Sequence, residues 1–306
     1  MSTPAPVPSS GPRAARAPIE RLAIVGFGLI GASLAAALKA AGSGLRIVAV
    51  VRSEAAAGQA LGLGTVDEAR IGTRAGVAGA DLVMLCVPMQ AMRGALEELQ
   101  AARRDGTLAA DAIIGDAGSV KGRFVQDARD TLGALHRVVP GHPIAGRERS
   151  GMAAADATLY RGRRVLLTPL PETCAQAVQA VTQVWRTAGA EVECLSPEQH
   201  DRVLAATSHL PHVMAFALVD TLARQQEAEE IFRYAAGGFR DFTRIASSDP
   251  VMWRDICLTN RDALLAAMDA LGEHVAALRA AIERGDAPAI EATFTRARDA
   301  RDAFVG

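Results

Sequence analysis

The sequence predicts an α/β fold in which a parallel, doubly wound sheet is followed by an all-helical region, and three observations carry that prediction. Short apolar runs alternate with helix-like segments up to residue 195. The glycine-rich string Gly26-Phe27-Gly28-Leu29-Ile30-Gly31 joins the first apolar run to the first helix. After Ser196 the strand-like runs stop and long helical periodicity replaces them. The expected organisation is a disordered tail over 1–18, a Rossmann-type dinucleotide-binding domain over 19–195 and a helical substrate and dimerisation domain over 196–306.

The elements follow in order. Residues 22–25 form a short apolar run suited to a strand buried on both faces. An alanine-rich helix follows the glycines as far as Gly42. LRIVAVVRS is a second strand ending at Arg52 and Ser53, after which Gly62 and Gly64 mark a turn. ADLVMLCVP is a third strand, stopped by Pro88, and AIIGDAG a fourth. HRVVPGHP holds a fifth, and RRVLLTP and AEVECLSP add two more around a helix over 172–188. In the helical region one long apolar helix runs through Val203, Met214 and Val219, with Pro211 expected to kink or break it. A polar gap at Gly237 and Gly238 precedes helices over 251–258, 263–281 and 287–303. Several of these are apolar on more than one face, which calls for burial by neighbours or by a second subunit.

Composition narrows the function. Half of the 306 residues are hydrophobic, enough for a full core, and the net charge of -1 offers no basic field for nucleic acid or an anionic membrane. No apolar run is expected to span a membrane, and residues 1–18, rich in Pro, Ser and Ala, lack the apolar core of a signal peptide. Cytoplasmic location is the expectation. Cys86, Cys174, Cys194 and Cys257 lie far apart and form no CxxC pair, so buried, reduced thiols are expected, with no metal site. Lys39 and Lys121 are the only lysines.

The glycine string has the context that gives it meaning. Gly26 permits a tight turn, Gly28 lets backbone approach a pyrophosphate, and Gly31 allows close helix–strand packing. The helix start, with Phe27, Leu29 and Ile30 around it, presents free N–H groups to phosphates. Val87 and Pro88 end the neighbouring strand at the same edge. An acidic residue at the end of the second strand would bond a ribose 2′-hydroxyl. Here Arg52 and Ser53 stand there instead, which suits a 2′-phosphate and favours NADP, with NAD the other candidate.

Chemistry in such folds sits at the carboxyl ends of the strands. CVPMQ, GDAGSVKG and GHPIAGRERSG occupy those ends, and SHLPH and GGFRDFTRIASSDPVMW add polar clusters from the helical region. With GFGLIG, the linked set DAGSVKG, GHPIAG, SHLPH, FRDFTRIA, Asp249-Pro250 and Trp253 resembles the prephenate/arogenate (cyclohexadienyl) dehydrogenases, over about residues 21–270. The resemblance implies a 6-phosphogluconate-dehydrogenase-like arrangement, with a homodimer formed through the helical domain.

It also implies roles. His142 would accept the proton of the substrate's ring hydroxyl, a task that suits a neutral imidazole of ordinary pKa near about 6.5. Ser119 would orient His142 or the substrate hydroxyl; its alternative duty is to cap the following helix. Arg244 would clamp a substrate carboxylate as a two-bond fork, against a structural alternative of pairing with Asp241 or Asp249. His212 and Ser208 would reach the substrate side chain, and Arg240 would add charge to the pocket, from its own subunit or across a dimer interface. His209 is read as packed and structural, Trp253 as core near the site, and Lys121 as solvated. The His209–His212 spacing lacks the partners of a metal site.

One departure from the family's pattern is Gly141, where a serine commonly precedes the histidine. Arg147, Glu148 and Arg149 follow in a loop able to select between a keto and an amino side chain, and acceptance of both prephenate and arogenate is expected. The competing readings are another NADP-dependent β-hydroxyacid-type dehydrogenase and a non-catalytic NADP-binding sensor. The first typically needs a lysine in its helical domain, and this one has none. The second would not need His142, Ser119 and Arg244 together.

Overall fold

The computed structural model describes residues 19–146 and 150–305. The expected tail over 1–18 and the selector residues Arg147, Glu148 and Arg149 lie outside the described residues.

Six strands form the main sheet: β1 (Arg21–Val25), β2 (Arg46–Val51), β3 (Glu68–Ile71), β4 (Leu82–Leu85), β5 (Ile113–Asp116) and β6 (Val138–Val139). Their spatial order is β3-β2-β1-β4-β5-β6 and every pairing is parallel, the doubly wound order with its switch point between β1 and β4. The connecting helices are α1 (Leu29–Ala40), α2 (Glu54–Gly62), α3 (Thr73–Gly76), α4 (Met92–Arg104) and α5 (Lys121–Leu132).

Alternation sends neighbouring residues of one strand into opposite layers. Leu22 and Ile24 join the core with Leu34, Leu38 and Trp185, while Ala23 and Val25 join the other with Val83, Leu96 and Phe124. Both layers are buried, so the central strands read as continuous apolar runs. Strand β3 does not, because it is a half-exposed edge carrying Glu68 and Arg70. For that reason the sequence reading finds only a turn where α2 and β3 stand.

The expectation of one parallel sheet throughout is corrected. Pro140 separates β6 from β7 (Gly141–Pro143) and has no N–H to continue the ladder. The chain changes partners there: β7 pairs antiparallel with β8 (Arg164–Leu167), which pairs parallel with β9 (Glu191–Cys194) in a second, three-stranded sheet. Helix α6 (Ala175–Thr187) lies between β8 and β9 in the chain and buries Val181 and Trp185.

From Pro197 onward the described chain is helical. The first run joins α7 (Pro197–Leu204), a π-helical turn (Ala205–His209) and α8 (Leu210–Ala223) into one continuous 27-residue helix. Pro211 therefore does not break the helix. The widened turn immediately before it absorbs the lost N–H and the ring's steric demand, and such turns are common at functional sites. This helix is long and apolar enough to cross a membrane by length and composition alone, contrary to the sequence expectation, and only 22% of its apolar window is buried within the chain.

Helices α9 (Ala228–Arg233), α10 (Gly237–Thr243), α11 (Pro250–Thr259), α12 (Arg261–Glu283) and α13 (Ala287–Val305) complete the region. Gly237 and Gly238 open α10 and are not a gap. Asp249 caps α11, its Oδ1 accepting from the N–H groups of Val251 and Met252 at 2.8 and 3.1 Å. The four cysteines are unpaired; Cys86, Cys174 and Cys257 are half-buried and Cys194 is exposed, where buried thiols were expected.

Candidate active site

The turn after β1 is built for close approach of backbone. Gly26 has φ +88, and a Cβ there would lie 2.7 Å from the carbonyl oxygen of Cys86 and from Val87 Cγ1. A Cβ on Gly31 would lie 2.7 Å from the Gly26 carbonyl oxygen. At Gly28, by contrast, a Cβ would enter open space. Gly28 is the N-cap of α1, no side chain caps it, and the first turn holds no carboxylate. Free N–H groups and the positive end of the helix dipole thus lie where backbone can be approached closely, the chemistry a pyrophosphate needs.

Phe27 is buried, Leu29 and Ile30 are half-buried at the start of α1, and Val87 and Pro88 follow β4 alongside. Arg52 is exposed just past β2. Ser53 caps α2 by accepting from Ala56 N–H at 3.2 Å.

His142 lies on β7, half-buried. The residue before it is clamped twice: Gly141 N–H donates to Asp116 Oδ1 at 3.0 Å, and its carbonyl accepts from Lys121 Nζ at 2.5 Å. Lys121 also donates to Asp116 Oδ2 at 2.5 Å, both side chains being fully buried. The expectation of a solvated Lys121 is therefore wrong. Position 121 opens the buried face of α5, which continues through Phe124 and Ala128, and Asp116 supplies the charge partner that makes the burial tolerable. Burial pushes the Asp116 carboxyl up and the Lys121 ammonium down, each toward neutrality, and their contact opposes both shifts. A side chain at Gly141 would have its Cβ 2.9 Å from Leu167 Cδ2 and 3.1 Å from the Asp116 carbonyl oxygen.

Two residues not singled out in the sequence complete the surroundings of His142. His142 Nδ1 lies 2.9 Å from Nε2 of His200, and His200 Nδ1 lies 2.8 Å from Oδ1 of Asp201. Asp201 also accepts from the N–H groups of Lys121 at 2.8 Å and Gly122 at 2.7 Å, so it, and not Ser119, caps α5. Ser119 lies half-buried in the loop between β5 and α5. Burial pulls the Asp201 carboxyl up, but the hydrogen bonds from His200 and the two amides outweigh it and hold it below the usual aspartate value. Burial is the largest cause holding His142 well below its ordinary value, and the repulsion it would feel from His200 and His209 when protonated, and from the Lys121 ammonium, adds to it. A lowered pKa keeps the imidazole neutral, the form in which a base works.

The helical region contributes from the π turn onward. His212 Nδ1 donates to the carbonyl of Ser208 at 2.8 Å, which leaves Nε2 as the accepting nitrogen. Its ring stacks on Trp253 with centroids 3.6 Å apart. Burial lowers the His212 pKa, the hydrogen bond to the Ser208 carbonyl opposes that shift, and the charge of Arg244 lowers it further. His209 is buried, its Nδ1 lying 3.0 Å from Asn260 Nδ2. Arg244 begins the turn after α10, and Arg240 stands exposed on α10 itself.

A glycine cradle on a doubly wound sheet, joined to a helical region that carries histidines and an arginine, has the two-part construction of a dinucleotide-dependent oxidoreductase. Residues 34–194 match the family model described as prephenate dehydrogenase, nucleotide-binding domain, and residues 196–296 that described as prephenate dehydrogenase, dimerization domain. The chain belongs to the prephenate dehydrogenase family.

It is 38% identical over 92% of its length to a cyclohexadienyl dehydrogenase of Zymomonas mobilis, covering 95% of that protein. A prephenate dehydrogenase of Bacillus subtilis is 37% identical over 92% of this chain and 76% of its own length. Among solved structures, prephenate dehydrogenase from A. aeolicus in complex with hydroxyphenyl propionate and NAD+ superposes with a TM-score of 0.86 at 36% identity. That match covers 95% of this chain and all of the other (100%).

Proposed function

We propose that this chain oxidatively decarboxylates prephenate to 4-hydroxyphenylpyruvate, and arogenate to tyrosine, with NADP preferred over NAD. The observation that carries the reading is His142, held at the carboxyl edge of the sheet by Asp116 and Lys121, with His212 and Arg244 contributed from the helical region. The family's relatives supply the substrate class: one is a prephenate dehydrogenase, and a structural neighbour from Synechocystis is an arogenate dehydrogenase.

The bound nicotinamide supplies the hydride acceptor. His142 takes the ring hydroxyl proton as the C4–H electron pair departs. The bond from C1 to its carboxylate then breaks, releasing CO2, and its electrons aromatise the ring. The proton held on His142 returns to the ring oxygen, so none is gained or lost overall. Ser119 orients the hydroxyl, Arg244 forks onto a carboxylate, and His212 with Ser208 meets the side chain; Arg240 adds positive charge at the rim. Arg52 and Ser53 favour the 2′-phosphate of NADP by charge and hydrogen bonding.

The protein acts in the cytoplasm as a homodimer. The exposed apolar side chains of Leu258, Val275, Ile282 and Phe294, and the poorly covered helix over 197–223, are the surface a second subunit would bury.

The test is absorbance of reduced nicotinamide with prephenate, then arogenate, each with NADP+ and with NAD+. Reduction with a higher kcat/KM for NADP+ is expected. No reduction in any pairing, from folded protein that binds cofactor, removes the reaction. Equal use of both cofactors, or a preference for NAD+, removes the NADP assignment alone.

A further inference from the structure

We infer that His200 and Asp201 are positioning residues that hold His142 in its Nδ1–H tautomer, leaving Nε2 bare for the substrate's proton. The argument runs along three hydrogen-bonding positions. The ionised Asp201 carboxylate can only accept, and the Lys121 and Gly122 amides fix it at the start of α5. His200 Nδ1, 2.8 Å from Asp201 Oδ1, must therefore carry a hydrogen. In neutral His200 the other nitrogen, Nε2, is then a bare acceptor. His142 Nδ1 stands 2.9 Å away and must donate to it. With Nδ1 protonated, the lone pair of neutral His142 resides on Nε2, on the opposite edge of the ring.

This matters because a free imidazole in water favours the other tautomer, with the hydrogen on Nε2. A base in that form would present an N–H to the hydroxyl it has to deprotonate. The contact also serves the charged state: when Nε2 takes the proton, the imidazolium remains hydrogen-bonded through Nδ1 to a neutral acceptor backed by a carboxylate. His200 is fully buried on α7, so it makes no substrate contact and acts through His142. Since α7 belongs to the helical region and His142 to the sheet, the base is aligned only while the two are docked.

The consequence for catalysis rests on the proposed reaction, but the first test does not. Ring ¹⁵N resonances of histidine-labelled protein, without substrate, report which nitrogen carries hydrogen; loss of a signal in His142→Asn identifies His142 among the six histidines. Protonation at Nδ1 is expected, and protonation at Nε2 overturns the inference. The second test uses turnover. His200→Phe keeps bulk but removes the acceptor, and kcat should fall roughly 10²-fold with KM within about threefold. His200→Gln places an amide oxygen where Nε2 stood and should restore most of kcat. An unchanged kcat in His200→Phe, or equal losses in both variants with the fold intact by circular dichroism, overturns it. If no substrate is turned over at all, the proposed reaction fails while the tautomer result still stands.

Discussion

The ammonium of Lys121 and the carboxylate of Asp116 meet at 2.5 Å with neither side chain exposed. The same ammonium reaches the carbonyl of Gly141, so the pair ties α5 and β5 to the strand that carries His142. Removing one member leaves a buried charge without its partner, which typically costs about 3–5 kcal/mol. Lys121→Met, which keeps most of the volume, should lower the unfolding free energy by that amount, read in urea as a lower midpoint at unchanged slope. A stability within about 0.5 kcal/mol of the parent would mean that the pair is neutral or solvated.

The histidines predict two separate pH effects. His142 is held well below its ordinary value, burial being the largest cause, and a base works in its neutral form. A lowered pKa keeps it neutral further into acid, so the acid limb of kcat/KM should lie well under about pH 6.5. His142→Asn should lower kcat by roughly 10²–10⁴ with little change in KM. A limb at or above the ordinary histidine value would show that another group limits the rate. His209 gives the second effect: burial, partly offset by Asp201, lowers it to about 4. Because its folded pKa lies below its unfolded one, the unfolded chain binds more protons as pH falls from about 6.5 to about 4. Stability attributable to His209 should drop across that window by about 3 kcal/mol. His209→Asn retains an acceptor for Asn260 but cannot titrate, and should flatten the pH–stability curve there.

The cofactor cradle separates two glycines by their surroundings. Gly28→Ala puts a methyl group into open space, where backbone would otherwise meet phosphate, so Tm should hold while the KM for cofactor rises. Gly31→Ala forces a Cβ to 2.7 Å from the Gly26 carbonyl, and overpacking of this kind costs about 1–3 kcal/mol. Thermal melts beside cofactor titrations check both. If Gly28→Ala binds cofactor as the parent does, the phosphates do not lie over this turn.

How much of this could be read from the sequence follows from the range of each relationship. The cradle was legible because its geometry is set within six consecutive residues, 26–31, and flanked by an apolar run and a helix. Helix starts and the change after Ser196 were legible for the same local reason. The switch of β7 into a second sheet was not, because the alternation of strands and helices says nothing about which sheet a strand joins. His142 and Arg244 were reached through the family resemblance. His200 and Asp201 were missed because their relation to His142 spans 58 residues of sequence. A signal was nevertheless present. Pro197, His200 and Leu204 fall at spacings of three and four on the buried side of α7, so a histidine stands where an apolar residue is expected. Lys121 carried the same signal on α5, three residues before Phe124 and seven before Ala128. A titratable residue on an apolar stripe was the clue in both cases, and for Lys121 default solvation was the wrong reading.

Arg244 supplies the sharpest test of substrate binding. It opens the turn after α10 and its charge is felt by His212, which stacks on Trp253. If it forks onto a substrate carboxylate, losing it strands one partner of a charged pair, at about 2–5 kcal/mol. Arg244→Ala should then raise KM at least roughly tenfold, with a smaller effect on kcat. Arg244→Lys keeps the charge but not the planar two-bond geometry, and should recover only part of the loss. A purely structural arginine behaves differently: its removal would lower Tm and leave KM unchanged. Steady-state kinetics of both variants, with melting curves alongside, separate the two.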